Sequence, residues 1–271
     1  PARLREVVLS AISGSSGAEF LLGTASDEAI ELWLIDLDTL GEPLAEREAQ
    51  DPYCPPGEID ALDASRKVAR MALRRLLARS FGRSLSAQPF QPGPHGKPKL
   101  LGLAGDFNVS HTFLGSPSSS GAEAKAVALI GLGRVASIGV DIEPLRAVRM
   151  DDRRRAAIIS AGQSVADGAT LPNNEESAVI QAWARLEAWG KANGRGIGRT
   201  LSHFGIWGRG GASAGDCVQS QGDEVIVHDI AAAPGLLAAV ALPRGVRPPI
   251  VRALPLDPAA LDEIFAHPAK V

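Results

Sequence analysis

Two carboxylates stand two residues apart in the segment Gly139-Val140-Asp141-Ile142-Glu143. On a β-strand, residues i and i+2 point to the same face, so Asp141 and Glu143 project together. Two unpaired carboxylates side by side repel each other, and a cation between them relieves the repulsion. Hard oxygen ligands suit Mg²⁺, which binds few carboxylates and completes its shell with water and phosphate. The alternative is a solvated acidic strand end, and Asp36-Leu37-Asp38 shows how easily this spacing arises.

A second set of chemically capable residues lies on one face of a predicted helix. Trp183, Glu187 and Lys191 are spaced i, i+4, i+8 and therefore share that face. Glu187 and Lys191 stand in the favourable order for a surface ion pair, which stabilises a helix by only a few tenths of a kcal/mol. The functional interpretation makes Glu187 a third metal ligand or a base, and Lys191 a phosphate contact.

Further polar residues fall in a predicted strand, Phe107-Asn108-Val109-Ser110-His111-Thr112, and in the turn Gly96-Lys97-Pro98. Ser110 and His111 point to opposite faces of a strand, so adjacency does not make them a nucleophile and its base. His111 is either an ordinary histidine at a strand end or a donor to an anionic ligand. Lys97, in a rigid turn beside a glycine, suits a phosphate or is an ordinary loop lysine.

Residues 60–80 have the clearest helical pattern, with apolar residues at i, i+3, i+4 and i+7. Residues 66–79 of this helix contain five arginines and one lysine and no acidic residue. Arg66 lies close to the edge of the apolar face, so we expect it to be partly buried and directed at a ligand or partner. This clustering indicates either an anionic partner or a merely solvated basic face.

The composition limits the class of protein. Of the 271 residues, 45% are hydrophobic but only 4% aromatic, and the formal net charge is −3. The apolar share excludes wholesale disorder, and the near-neutral charge argues against a general nucleic-acid binder. Two cysteines, Cys54 and Cys217, are too few for a disulfide framework and suit a cytoplasmic protein. No apolar run is long enough for a membrane-spanning helix.

The predicted elements divide into two similar α/β lobes. Leu34-Ile35-Asp36-Leu37-Asp38 opens one and Gly139-Val140-Asp141-Ile142-Glu143 the other, each followed by an Ala-rich amphipathic helix, of which the second spans Glu175 to Lys191. We expect a flexible arm over 1–27, an N-terminal lobe over 28–134, a C-terminal lobe with the metal site over 135–243, and an appended tail over 244–271. Within the second lobe, Ile158 to Leu171 is predicted as a loop and Leu201 to Trp207 as a strand.

The order of these motifs resembles that of the Sfp-type 4′-phosphopantetheinyl transferases. The resemblance runs from Gly96-Lys97-Pro98 through the Ser110-His111 and Asp141-Ile142-Glu143 segments to Trp183-Ala184-Arg185-Leu186-Glu187-Ala188-Trp189-Gly190-Lys191, and covers roughly residues 30–245. It implies an α/β (α+β) fold of two pseudo-twofold-related lobes, each a small sheet packed with helices, with coenzyme A bound between them. The implied reaction moves the phosphopantetheine arm of coenzyme A to a serine of an acyl or peptidyl carrier protein and releases 3′,5′-ADP.

The resemblance also implies a role for each matching residue. Asp141, Glu143 and Glu187 would be the Mg²⁺ ligands, with Glu187, Lys191 and His111 as the catalytic residues. The coenzyme A contacts would be Arg66, Lys97, Ser110, His111 and Lys191. The implied partners are the carrier protein and coenzyme A, with neither nucleic acid nor membrane, and a monomer is sufficient for the activity.

The chain departs from the family pattern in two places within the lobes. Leu186 stands where the family usually has a lysine, and the usual Phe-Ser/Thr…Glu stretch before the last helix is absent. These departures motivate an alternative function, a catalytically weak relative that binds coenzyme A or a partner protein without turnover. The five arginines of residues 146–155 are a predicted contact for an acidic carrier.

Overall fold

The computed structural model describes residues 30–93, 96–115, 125–166, 169–207 and 225–266. The predicted arm over 1–27, Cys217 and the end of the tail lie outside these ranges. The described part is a mixed α+β structure of two main sheets, a two-stranded ribbon and seven helices. None of these helices is both long and apolar enough to cross a bilayer.

The elements follow one another in this order: β1 (Ile30–Asp36), α1 (Gly41–Gln50), α2 (Ala64–Phe81), α3 (Arg83–Ser86), β2 (Gln91–Pro92), β3 (Pro98–Lys99), β4 (Asp106–Leu114), β5 (Lys125–Gly133), β6 (Gly139–Pro144), α4 (Asp152–Ser164), α5 (Glu175–Ala192), α6 (Ile197–His203), β7 (Val225–Ile230), β8 (Leu236–Pro243), β9 (Val251–Ala253) and α7 (Pro258–Ala266).

Three strands of the first sheet have the same order as the three strands of the second sheet. The first sheet runs β4-β5-β1-β9 and the second β6-β8-β7. In each half the opening strand, β1 or β6, pairs antiparallel with the second strand of a later hairpin, β4-β5 or β7-β8. The repeat predicted from the sequence therefore has a counterpart in topology, and the two halves join between Gly133 and Gly139.

The sheets pack face to face, with helices on both outer sides. Strand β5 shows the consequence, because alternate residues enter two different cores. Ala128 and Ile130 pack toward the first set of helices, whereas Val127 and Leu129 pack against the second sheet. A strand that is buried on both faces has an almost continuous hydrophobic sequence, and residues 126–132 have this pattern.

Strand β6 has two faces of opposite character. Ile138, Val140 and Ile142 fill the core between the sheets. The alternation of a strand turns Asp141 and Glu143 to the other face, toward α5. The packing of the two sheets thus determines which face of β6 is left for chemistry.

Two of the elements predicted in the second lobe are wrong. Residues 152–164, which overlap the loop predicted over Ile158 to Leu171, form helix α4, capped by the Asp151 side chain. The helix escaped prediction because only a narrow stripe of it is buried, including Ile158 and Gly162. The strand predicted over Leu201 to Trp207 is instead the end of α6 and a turn at Gly205, where φ is +67°.

The predicted tail is integrated into the first sheet and its core. Strand β9 pairs parallel with β1, and α7 packs against α2. Leu254 and Leu261 are fully buried in the same core as the first-half helices. The last elements of the chain therefore complete the core that the first elements began.

Candidate active site

Asp141 lies at the junction of the two sheets and is almost completely buried. Its Oδ1 accepts hydrogen bonds from Ser110 Oγ at 2.8 Å and from Lys191 Nζ at 2.7 Å. Its Oδ2 is buried and has no hydrogen-bond partner in the described part of the chain. An unsatisfied buried carboxylate oxygen is energetically costly, and such an atom in a folded protein calls for a functional explanation.

Lys191, in the last turn of α5, reaches Asp141 because the helix lies directly on β6. A Cβ on Gly139 would collide with the backbone of Ala188, so glycine is what permits this close approach. Besides Asp141, the Lys191 ammonium donates to Ser110 Oγ and to the Val140 carbonyl, both at 3.1 Å. Elements from both halves of the chain therefore converge on one ammonium group.

Glu143 and Glu187 lie within electrostatic reach of Asp141. Burial raises the pKa of Glu187 to about 7, with repulsion from Asp141 and Glu143 adding to the effect and Lys191 opposing it. Burial also raises the pKa of Glu143, although its ion pair with Arg146 opposes the shift. Mutual perturbation of this kind is typical of functional carboxylates.

The three carboxylates do not by themselves form a closed metal cage. Among the described residues, no group of three His, Cys, Asp or Glu side chains is arranged to hold a metal ion. Mg²⁺ seldom needs such a cage, because it keeps several waters and takes one or two carboxylates plus phosphate oxygens. The unpartnered Oδ2 of Asp141 is the kind of atom it would bind, so the donor set fits the ion.

Side chains of β4 hold β6 at the edge opposite the one that pairs with β8. Asp106 accepts from the Ile138 backbone N–H and Asn108 from the Val140 N–H, at 2.8 and 2.9 Å. With Ser110, these residues occupy alternate positions on one face of β4. The sequence shows the alternation from Asn108 onward, but the missed residue Asp106 could be assigned only once β6 was known to lie opposite.

Lys97 belongs to this junction rather than to the carboxylate cluster. Its ammonium pairs with Asp106 and donates to the Ile138 carbonyl at 2.8 Å, and its side chain is almost fully buried. Burial lowers its pKa, while Asp106 opposes that shift. The structure turns Lys97 toward β6, whereas the sequence-based expectation placed it on coenzyme A.

A cavity of about 220 Å³ opens between α2 and β4. Its walls include the apolar side chains of Ala69, Leu73 and Val109, and Arg66 and His111 also line it. The Arg66 side chain is 60% exposed, more than the sequence predicts, and its ion pair with Asp63 is long, at 3.5 Å. Burial, followed by the charge of Arg66, lowers the pKa of His111, so this imidazole is neutral at pH 7.

The rest of the basic helix is neither a solvated face nor a free anion site. Arg70 and Arg74 pair with Glu58, Arg75 pairs with Glu48, and Arg79 pairs with Glu31. Both sequence-based interpretations are wrong for these four arginines, because their acidic partners come from distant segments of the chain. Arg66 and Arg70 both line the cavity, but Arg70 is already paired with Glu58.

Searches of protein-family models and of curated proteins found no match to this chain.

Proposed function

We propose that this protein transfers the 4′-phosphopantetheine arm of coenzyme A to a serine of an acyl or peptidyl carrier protein. The observation that carries the proposal is the convergence of Asp141, with its unpartnered buried Oδ2, and Lys191 beside the perturbed carboxyl group of Glu187. This cluster combines oxygen ligands for a divalent cation, a fixed positive charge and a base. Transfer of a phosphoryl-type group needs these components, because it depends on positioning and charge neutralisation.

The cavity beside the cluster suits the nucleotide end of coenzyme A. Its apolar walls match a purine ring, and Arg66 offers a positive charge to a phosphate at the rim. The neutral His111 retains one N–H with which to donate a hydrogen bond to an anion. In this arrangement the nucleotide lies against α2 and β4, and the diphosphate extends toward Lys191.

Asp141, Glu143 and Glu187 supply the proposed Mg²⁺ ligands; one or two of these carboxylates would bind the ion directly, and diphosphate oxygens and water would complete its shell. When bound, the ion would neutralise charge on the diphosphate and on the departing nucleotide. The protein's own N–H donors act in the same direction, since the Lys191 ammonium and the neutral His111 imidazole offer hydrogen bonds to oxygens that become more negative.

The atoms of the proposed reaction balance without another reactant. The serine Oγ bonds to the phosphorus that carries the pantetheine arm, and the bond from that phosphorus to the bridging oxygen breaks. The bridging oxygen leaves with 3′,5′-ADP. Glu187 accepts the serine proton directly or through water. Its pKa is about 7 without a bound cation, and Mg²⁺ at the cluster would lower it and favour the carboxylate form that acts as the base.

The repeated strand order also supports the two-lobed fold of the phosphopantetheinyl transferases. The candidate site lies where the two sheets meet, and interfaces between repeated units commonly hold ligands. We propose that the protein acts as a monomer in the cytoplasm.

The alternative, binding without turnover, rests largely on Leu186. That side chain is fully buried in the core of the second half, whereas Glu187 and Lys191 face the cluster. The leucine therefore removes no charge from the cluster, which favours an active enzyme.

Mass spectrometry of a carrier protein tests the proposal. Incubated with the protein, Mg²⁺ and coenzyme A, an apo-carrier should gain the mass of one phosphopantetheine arm, and Asp141→Asn should abolish the gain. Coenzyme A binding without transfer to any of several fatty-acid, polyketide and peptide carriers would favour the alternative.

A further inference from the structure

The Lys191 ammonium is bound as a small cation would be. Its hydrogen bonds go to three oxygens, those of the Asp141 carboxylate, the Ser110 hydroxyl and the Val140 carbonyl, at 2.7 to 3.1 Å. These oxygens belong to β4 and β6, whereas the lysine comes from α5. A flexible side chain thus brings one positive charge to a preformed oxygen site.

This charge neutralises only part of the local negative charge. Asp141 Oδ2 stays without a partner, and Glu187 and Glu143 still repel Asp141. A divalent cation bound to the carboxylates would therefore lie close to the Lys191 ammonium, because both would share Asp141. Two cations at such a separation in a partly buried site repel each other by more than the thermal energy.

We propose that Lys191 is a tethered counter-ion of Asp141 that opposes divalent-cation binding until the diphosphate of the substrate draws its ammonium away. The proposal rests on the proposed function and adds a coupling between its two ligands. Because such coupling is reciprocal, the divalent cation and coenzyme A should each increase the affinity for the other.

Mn²⁺ titration of the full chain, followed by electron paramagnetic resonance, tests the first half of the proposal without measuring activity. In the absence of coenzyme A, Lys191→Met and Lys191→Gln should bind Mn²⁺ about five-fold or more tightly than the unmodified protein. Lys191→Arg keeps the charge and should show no such gain. The matched control Lys99→Met removes an exposed lysine charge on β3 and should leave the affinity unchanged.

Addition of coenzyme A tests the second part of the proposal, the coupling between the two ligands. It should raise the Mn²⁺ affinity of the unmodified protein, and this rise should be smaller in Lys191→Gln, because that side chain has no charge to transfer. If Lys191→Met folds poorly, Lys191→Gln still tests the proposal, because glutamine retains hydrogen-bond donors for Asp141. As a separate readout, Mn²⁺ should raise the Tm of Lys191→Gln more than that of the unmodified protein.

Equal or weaker Mn²⁺ binding by the methionine and glutamine variants would overturn the counter-ion role and leave the proposed transferase untouched. An Asp141→Asn protein that binds Mn²⁺ as well as the unmodified protein would overturn the metal site itself, and with it both proposals.

Discussion

At the scale of single residues, the chemistry of the site depends on groups whose charge is opposed by their surroundings. Asp141 is buried with one oxygen unpartnered, and burial raises the pKa of Glu187 to about 7. Neither condition favours folding, because each adds an uncompensated cost of burial. Groups with this cost are typical of functional sites, and the proposed transfer reaction would explain why this protein keeps them together.

Activity should depend on the protonation of Glu187. Only the deprotonated carboxylate accepts a proton, so kcat/KM should rise with pH as Glu187 ionises. A bound Mg²⁺ would lower the pKa of Glu187 below the value of about 7 that burial sets, so this rise should lie below pH 7. In Glu187→Gln this limb should disappear and kcat should fall about 100-fold or more. Stopped assays of carrier modification between pH 5.5 and 8.5 measure both effects, and a glutamine variant with an unchanged limb would exclude Glu187 as the base.

The same residue should reduce stability at alkaline pH. Its pKa is higher in the folded protein than in the unfolded chain, so its favourable contribution is complete below the unfolded value of 4.5 and is lost as the pH rises through about 7. Without divalent cations, Glu187→Gln should therefore be more stable than the unmodified protein at pH 8, and the gain should shrink toward pH 5. Urea unfolding at the two pH values checks the sign; a gain larger at pH 5 would contradict it.

At the scale of elements, the position of β6 between α5 and β4 determines the geometry of the site. Its N-terminal end is held by Asp106 and Asn108 of β4, and its outer face lies against the backbone of α5. A shift of either neighbour would separate Lys191 from Asp141. Residues that touch no reacting group thus control the site through packing.

Gly139→Ala should separate α5 from β6. The added Cβ would overlap the Ala188 carbonyl, which cannot move without the helix. We expect a clear loss of stability and a fall in transfer, read by thermal unfolding and by the carrier assay. The matched control is Gly198→Ala in α6, where a Cβ meets no atom within 4 Å and φ is not positive; it should be neutral or slightly stabilising. Equal effects at both glycines would exclude the packing argument.

Lys97→Met should separate a structural role from ligand binding. It leaves the partly buried Asp106 without its cation and should destabilise the protein by up to about 3 kcal/mol. The double variant Lys97→Met with Asp106→Asn should recover much of this loss, because no buried charge is left unpaired. If the recovered protein keeps its KM for coenzyme A, Lys97 is structural; a KM raised at least ten-fold would restore it as a ligand contact.

At the scale of the whole molecule, the end of the chain completes the core that its beginning started. Strand β9 extends the sheet beside β1, and α7 covers α2. Arg47 of α1 bonds to Asp262 and to the Pro258 carbonyl, which ties α7 to the first half. The stability of the first half therefore depends on residues more than 200 positions away.

Leu261→Ala should cost about 2–5 kcal/mol, because it leaves a cavity in a fully packed core. Ile250→Ala removes a similar side chain that is 88% exposed, and its effect should stay within about 0.5 kcal/mol. Denaturant unfolding of both variants measures the difference. Similar, small effects would mean that the tail is appended, as the sequence alone indicates.

The sequence by itself determined the elements with regular patterns and strong boundaries. The bounds of β1 and α5 follow from hydrophobic alternation and helical periodicity, and the i, i+2 and i, i+4 spacings place Asp141 with Glu143 and Glu187 with Lys191. These are local properties, because strand and helix geometry alone decides which side chains share a face.

Tertiary structure decided how those faces meet and which charges are neutralised. Packing of one sheet on the other turned Asp141 toward α5, and pairing with Glu58 and Glu48 removed most of the basic helix from the list of ligand sites. It also assigned Lys97 to Asp106 and the Pro-rich tail to the first core. Such pairings join residues of different elements, from nine positions apart upward, and burial sets their energies, so the spacings within one helix or strand carry no record of them.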